Sequence, residues 1–505
     1  MSAALPLQPP APTGPVTGTP RLPFAFADRY RLVVDGQPGT LTCRYLDETP
    51  LEAILEARRH LDAEFRLLRV GADELERHLA MLYQQGDPSE MQQLEQIGED
   101  DDMFELLDEL PDSEDLLASD GDAPIIRLIN ALMSEAARAS ASDIHIEPYE
   151  KSLSVRLRVD GVMREILSPN HRLASLLTSR IKVMAKLDIA EKRLPQDGRT
   201  ALRIGGRALD VRVSTLPSRH GERVVMRLLD KQTARLDLAD LGMPDACDAA
   251  FRQLLLQPNG VILVTGPTGS GKTTTLYAGL GLLNNRSRNI LTVEDPVEYA
   301  IDGVGQTQVN ARAGMTFAKG LRAMLRQDPD VLMVGEIRDA ETAEVAIQAS
   351  LTGHLVLSTL HTNSAVGAIT RLRDIGIDAY LVASSLKGVL AQRLLRRLCP
   401  HCREPATISA DQARLLNRPS LEGHAAFEAR GCDECGGSGY RGRVGIYELV
   451  QVDAELALLI TRGAGEVEMQ RHLRDRSRSL MDEACALIAQ GVTGVGEVLR
   501  IVCSD

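Results

Sequence analysis

Val261-Ile-Leu-Val-Thr265 runs directly into Gly266-Pro-Thr-Gly-Ser-Gly-Lys-Thr273, and that junction decides the fold. A short apolar, β-rich run feeds a Gly-x4-Gly-Lys-Thr loop, and a helix-compatible stretch, Thr273-Thr-Thr-Leu-Tyr-Ala-Gly-Leu280, leaves it. A strand before and a helix after are the context in which this spacing forms a phosphate-binding loop (P-loop) rather than a glycine-rich turn with an incidental lysine. Glycines let successive N–H groups turn inward on phosphate oxygens. The helix N-terminus adds partial positive charge at the same place. Gly266, Pro267, Thr268, Gly269, Ser270, Gly271, Lys272, Thr273 and Thr274 are therefore the expected nucleotide-binding set. Lys272 is placed to reach the β- and γ-phosphates and Thr273 to put its hydroxyl on Mg²⁺.

Outward from this junction, Leu236 to the C-terminus reads as apolar strands alternating with helices, the pattern of a parallel sheet with crossovers. Strands are expected at Val261–Val264, Ile290–Val293, Val331–Val334 and His354–Thr359. Ligands of such sheets bind at the carboxyl ends of the strands, so the residues following each run are the catalytic candidates. After Ile290–Val293 come Glu294-Asp-Pro-Val-Glu298, three carboxylates near the expected phosphate site. After Val331–Val334 come Gly335-Glu336-Ile-Arg338. Glu336 is the candidate for polarising the attacking water. The place before it, where such sites often carry an aspartate, is Gly335, so Mg²⁺ is left to Thr273, waters and Glu294. The competing reading of each acid is a helix cap or a solvated carboxylate. His361 closes the fourth strand at its carboxyl end and is a candidate γ-phosphate sensor. His354, at the opposite end, is expected to be structural.

Cys399-Pro-His-Cys402 and Cys432-Asp-Glu-Cys435 supply four thiolates for tetrahedral Zn²⁺. All four ligands come from the chain, so the site reads as structural. The interval between the pairs exceeds the usual ribbon spacing, so an insertion is expected to loop out. Cys43, Cys247, Cys485 and Cys503 show no such pairing.

Residues 1–23 hold seven prolines and read as a disordered lead. They lack the basic start and apolar core of a signal peptide, and no run reaches the ~18 apolar residues of a membrane span. A cytoplasmic chain with reduced cysteines is expected. Residues 24–90 read as a small α/β unit without a catalytic constellation, with strands at Tyr30–Val34, Thr40–Tyr45 and Phe65–Val70 and helices at Pro50–His60 and Ala72–Tyr83. Residues 91–122 carry thirteen acidic and no basic residues, which accounts for the whole net charge of −13. That segment reads as a solvated linker, with Met103–Leu110 as a short amphipathic stretch. The neutral remainder argues against nucleic acid as the main partner. Residues 123–235 open with a helix, Ile125 to Ala139. Strands follow at Ser142–Glu147, Leu153–Val159, Val162–Leu167, Ala208–Val213 and Glu222–Leu228.

Taken together these motifs resemble the type II secretion ATPases, the E component of the general secretory pathway, within the wider secretion and type IV pilus ATPase superfamily. The resemblance spans nearly the whole chain from about residue 20. It is carried by Arg193-Leu-Pro-Gln-Asp-Gly-Arg199, the phosphate loop, Thr292–Glu298, Leu325–Asp330 through Asp339, and Leu351–Leu355 to His361-Thr-Asn363. It implies a RecA-like P-loop ATPase domain over 236–505, including a four-cysteine zinc module at 396–440. Before it come an α+β, PAS-like domain at 123–235 and a small N-terminal α/β docking domain at 24–90. It further implies a cytoplasmic homohexamer, peripherally attached to the inner membrane, with ATP, Mg²⁺ and Zn²⁺ as cofactors. The docking domain would hold the inner-membrane L component, with the polytopic F component a further candidate partner. Arg212 and Arg227 match positions that neutralise the transferring phosphoryl group, and Arg322, Arg326, Arg338 and Arg443 match positions around the nucleotide or subunit interfaces. Surface ion pairing remains the alternative for these arginines. Two other functions stay open at this point, a type IV pilus extension motor and a nucleic-acid-binding zinc protein with a regulatory ATP site.

Overall fold

Apolar runs in the C-terminal half become strands buried on both faces. All six residues of Gly260–Thr265 are buried, as are all of Val331–Val334 and Leu355–Leu360. Such runs suit a sheet covered by helices on both sides. The computed structural model describes residues 22, 26–27, 30–36, 40–61, 63–84, 123–204, 207–230, 237–474 and 476–503. Most of the Pro-rich lead and the acidic segment with its Met103–Leu110 stretch lie outside them. The chain divides into two compact units, Met1–Asp230 and Lys231–Asp505.

In the first unit, β1 (Leu32–Asp35) pairs antiparallel with β2 (Leu41–Tyr45). Helix α1 (Leu51–Leu61) crosses over to β3 (Phe65–Arg69), which runs parallel to β2, and α2 (Ala72–Gln84) follows. The expected order of elements is present. Next comes α3 (Ala123–Arg138), then β4 (Asp143–Pro148), β5 (Leu153–Val159) and β6 (Val162–Leu167). Helix α4 (Leu173–Met184) precedes β7 (Gln196–Ile204), β8 (Arg207–Ser218) and β9 (Gly221–Asp230). The six strands form an antiparallel sheet in the order β6-β5-β4-β9-β8-β7. Its Ile144, Val155, Val211 and Met226 pack with Leu132 of α3 and Leu177 of α4 in one core. Strict alternation leaves the other face charged. Ile189 is buried in a smaller cluster with Val33, Leu75 and Leu79, which joins the two sheets' domains.

The second unit begins with α5 (Asp245–Leu255), β10 (Gly260–Thr265), α6 (Lys272–Leu283), β11 (Ile290–Glu294) and β12 (Gly305–Gln308). It continues through α7 (Phe317–Met324), β13 (Val331–Val334), α8 (Ala340–Leu351), β14 (Leu355–Leu360), α9 (Ala365–Asp374) and α10 (Ala379–Ser385). β15 (Leu386–Leu398) leads to the small hairpin of β16 (Arg403–Thr407), α11 (Ala410–Leu415) and β17 (Ala425–Ala429), and then to β18 (Tyr440–Gln451). Helices α12 (Ala454–Thr461), α13 (Glu466–Leu473), α14 (Leu480–Ala489) and α15 (Val495–Val502) complete it. The seven strands are ordered β12-β11-β13-β14-β10-β15-β18. Six are parallel, including the four strands expected from the sequence, and β18 alone runs antiparallel to its neighbour β15. Val261 and Leu263 point into the core under α7–α10, while Ile262 and Val264 point into the core under α5 and α6.

Candidate active site

The phosphate loop links β10 to α6 and takes its shape from two close approaches. A Cβ on Gly266 would lie 2.4 Å from the Gln392 carbonyl oxygen, and one on Gly271 would lie 2.7 Å from Gln392 Nε2. Both residues also have positive φ, 149° and 88°. Only glycine meets both demands. Gly271 forms the N-cap of α6 without a side-chain cap, so the first turn's N–H groups face the loop. Lys272 is buried and donates to the carbonyls of Gly266 (2.8 Å) and Pro267 (3.0 Å). Burial pulls its amine down to about 8, against the opposing attraction of Glu336. Ser270 Oγ is buried without a hydrogen-bond partner among the described residues. A desolvated cation and an orphaned hydroxyl on a glycine-shaped loop fit a polyphosphate anion. Thr273, exposed on the first turn of α6, is the hydroxyl available to Mg²⁺.

Strand order brings the other candidates to the same edge, because β10, β14 and β13 are consecutive neighbours. Glu336, two residues past β13, pairs with Arg338 and lies 3.3 Å from His361 Nε2, one residue past β14. Thr359 fixes this turn by donating to the Gly335 carbonyl at 2.7 Å. Burial and the nearby Lys272 charge lower the His361 pKa, with Glu336 acting in the opposite sense. His361 at this distance can hold the Glu336 carboxylate in place while leaving it able to orient water. Thr362 shares its hydroxyl with Thr265 Oγ1 at 2.7 Å, which ties the segment after β14 to the end of β10.

Glu294 is placed differently from the sequence expectation that it helps hold Mg²⁺. It is 3 % exposed, and its carboxylate accepts from Tyr277, Thr292 and, at 3.2 Å, Gln306. It clamps the end of β11 to α6 and β12. The Glu298 backbone N–H donates to the same Tyr277 oxygen at 3.3 Å. His354 Nδ1 meets the Ala349 carbonyl at 2.8 Å at the C-terminal end of α8, in keeping with a structural role.

The arginines fall into four places. Arg338 is in the site. Arg322 pairs with Glu341 at 2.6 Å, and Arg326 donates to the Arg322 carbonyl at 3.0 Å; both are exposed at the end of α7. Arg443 sits on β18 opposite Arg396 of β15. Arg212 and Arg227 belong to the first unit and face one another on β8 and β9. Arg199 of β7 extends the same row, and beyond Arg227 lie Asp143 of β4 and Arg158 of β5. Arg227 Nε donates to Asp143 at 2.9 Å, and Arg199 grips Asp210. Sequence reasoning named two members of this row. Arg199 and Arg158 were recoverable by pairing the strands, since residues directly opposite share a face.

The four cysteine sulfurs lie within 4.8 Å of one another. Cys399–Cys432, Cys402–Cys435 and Cys432–Cys435 are separated by 3.9, 3.8 and 3.8 Å. Zn–S bonds of about 2.3 Å in a tetrahedron give edges of about 3.8 Å, so the donor set fits Zn²⁺. Burial opposes ionisation of Cys435, but the N–H groups of Cys432 and Gly439, at 3.2 and 3.1 Å from its sulfur, hold it at about 6. The interval between the pairs does not dangle. β16 and β17 pair antiparallel from Arg403–Ala429 to Thr407–Ala425 and return the chain to the site. A further residue escaped the sequence reading altogether: Gln392, buried on β15 against the phosphate loop.

Residues 118–500 match the family profile described as Type II/IV secretion system protein, and residues 21–83 match the profile of a domain of GSPII protein E. The chain is 58% identical over 484 residues to the Type II secretion system ATPase E of Vibrio cholerae, covering 95% of this chain and 96% of that protein. Type II secretion system protein E of Aeromonas hydrophila is 55% identical, with 96% and 97% covered, and that of Pseudomonas aeruginosa 56%, with 95% and 96% covered. Among solved structures, the pilus retraction motor PilT with bound ADP is 26% identical, with a TM-score of 0.50 over 74% of this chain and 96% of that one. The ATPase DotB of Legionella pneumophila, 20% identical with a TM-score of 0.56 over 75% and 95% of the two chains, shares the fold. Full-length similarity at this level favours secretion over pilus extension. The chain belongs to the Type II/IV secretion system protein family and, within it, to the type II secretion E ATPases.

Proposed function

We propose that this chain hydrolyses ATP as a homohexameric motor that drives pseudopilus assembly and the export of folded proteins across the outer membrane. The observation that carries the reading is the meeting of Lys272, Glu336 and His361 at the carboxyl ends of three neighbouring strands. Lys272 exchanges the Gly266 and Pro267 carbonyls for phosphate oxygens and regains full charge as it does so. Glu336 orients the attacking water, with Arg338 and His361 fixing its carboxylate. Mg²⁺, when bound at Thr273, supplies neutralisation of the β- and γ-oxygens. Glu294 acts as a positioning residue that keeps β11 in register with α6 through Tyr277.

Arg212 and Arg227 supply positive charge to the transferring phosphoryl group, and Arg322, Arg326 and Arg443 act at nucleotide-facing or subunit boundaries. Each turnover moves the PAS-like domain against the RecA-like domain. The motion passes through residues 24–90 to the inner-membrane L component, with the F component as a second contact. The reading places the protein in the cytoplasm, peripherally attached to the inner membrane. No helix among the described residues is long and apolar enough to cross a membrane. Glu336→Gln tests the site: it should bind ATP within about twofold of wild type and hydrolyse it on the order of a hundredfold more slowly. Loss of binding in proportion to turnover would make Glu336 a structural residue.

A further inference from the structure

β15 is paired in parallel with β10 up to Thr265–Ala391, so Gln392 stands level with the first glycine of the phosphate loop. It is 2 % exposed, and both ends of its amide are used. Nε2 donates to the Ser270 carbonyl at 2.5 Å, and Oε1 accepts from Thr275 Oγ1 at 2.7 Å. The amide orientation follows from these partners, because the flipped rotamer would set oxygen against the Ser270 carbonyl. Thr275 is itself fully buried on the first turn of α6. One side chain therefore grips the loop on one side and its helix on the other.

We propose that Gln392 is the positioning residue of the phosphate loop and that it aims the Gly271 N–H at the nucleotide phosphates. The peptide between Ser270 and Gly271 is planar and trans, so its C=O and N–H point in opposite directions. Holding the Ser270 carbonyl outward on Gln392 turns the Gly271 N–H inward, toward the space the loop encloses. Gly271 could not be oriented through a side chain of its own, because a Cβ there would collide with Gln392 Nε2. The Thr275 hydrogen bond fixes the first turn of α6 relative to the same amide, so the N–H groups of loop and helix converge as one unit. Donors held before the ligand arrives cost less to order on binding.

This inference rests on the loop being the nucleotide site, which Lys272→Ala tests on its own: that variant must lose nucleotide binding. Gln392→Met keeps the bulk of the side chain and removes both hydrogen bonds. ADP affinity is read from a fluorescent ADP analogue, and steady-state kinetics are taken with ATP and magnesium. The Kd for ADP and the KM for ATP should rise together by about tenfold, with kcat changing by less than about threefold. The unfolding midpoint should stay within a few degrees and zinc content should be unchanged. Thr275→Val removes one of the two bonds and should shift both constants the same way by about threefold. It carries the test alone if Gln392→Met does not fold. Wild-type ADP affinity in a folded Gln392→Met, or in Thr275→Val where that is the only folded variant, overturns the proposal and leaves the nucleotide site intact. Retained binding in Lys272→Ala overturns the site reading instead.

Discussion

Nucleotide affinity should fall as pH rises through 8, because Lys272 loses its proton in the free protein and must regain it against phosphate. Burial holds the free amine at about 8. A polyanion at the loop restores the charged form, so the bound pKa lies well above that value. Below pH 8 the lysine is charged in both states and affinity is flat. Above it, each bound nucleotide takes up one proton, and affinity declines by up to tenfold per pH unit. At pH 9 the free amine is about nine-tenths neutral, so Kd should be about tenfold weaker than at pH 7.5, a difference of about 1.4 kcal/mol. Phosphate oxygens have finished titrating by then, since their second pKa is about 6.

Calorimetry of ADP binding between pH 7.5 and 9.5, in buffers of different ionisation enthalpy, measures both Kd and proton uptake. Lys272→Arg is the control, because a guanidinium does not titrate in this range and its profile should stay flat. A wild-type Kd constant to pH 9.5, with no proton taken up, would refute the placement of Lys272 as a desolvated amine facing phosphate.

Two further outcomes follow from the metal module and the last helix. Cys432→Ser removes one corner of the four-cysteine tetrahedron and should reduce bound zinc from about one per chain to near zero, lowering the unfolding midpoint by about 5 °C or more; zinc analysis with calorimetry checks it, and unchanged stability would show that the site does not brace this unit. Glu497 is fully buried and accepts from Arg396 and Arg500, so Glu497→Gln strands two guanidinium groups and should cost on the order of 3 kcal/mol in chemical denaturation. ADP affinity should stay within about threefold, since the pair joins β15 to α15 away from the loop.

Central strands were legible because burial on both faces leaves mostly apolar residues, and Ile290–Val293 or Val331–Val334 need no partner to be recognised. β15 was not legible for the opposite reason. Its sequence, Leu-Lys-Gly-Val-Leu-Ala-Gln-Arg-Leu-Leu-Arg-Arg-Leu, carries buried and half-buried polar groups whose partners lie 101 to 122 residues away, Gln392 on Ser270 and Arg396 on Glu497. No local period announces such pairs. β18 shares the difficulty, being recognisable as a strand chiefly through its antiparallel register with β15. β7 begins within the Gln196–Arg199 stretch, where Gly198 and the charges give no run of alternating apolar residues. Motif spacing found the phosphate loop and the cysteine cluster because backbone curvature and metal coordination constrain residues close in sequence. Glu294 misled for a physical reason: a carboxylate after a strand looks available until its donors, Tyr277 and Gln306, arrive from other elements.

Phosphate release from ATP by the purified, assembled chain with magnesium, measured beside Lys272→Ala, bears most directly on the motor account. The account predicts magnesium-dependent turnover in wild type and none above background in the variant. Equal turnover in both, or none in correctly assembled wild type, would contradict it.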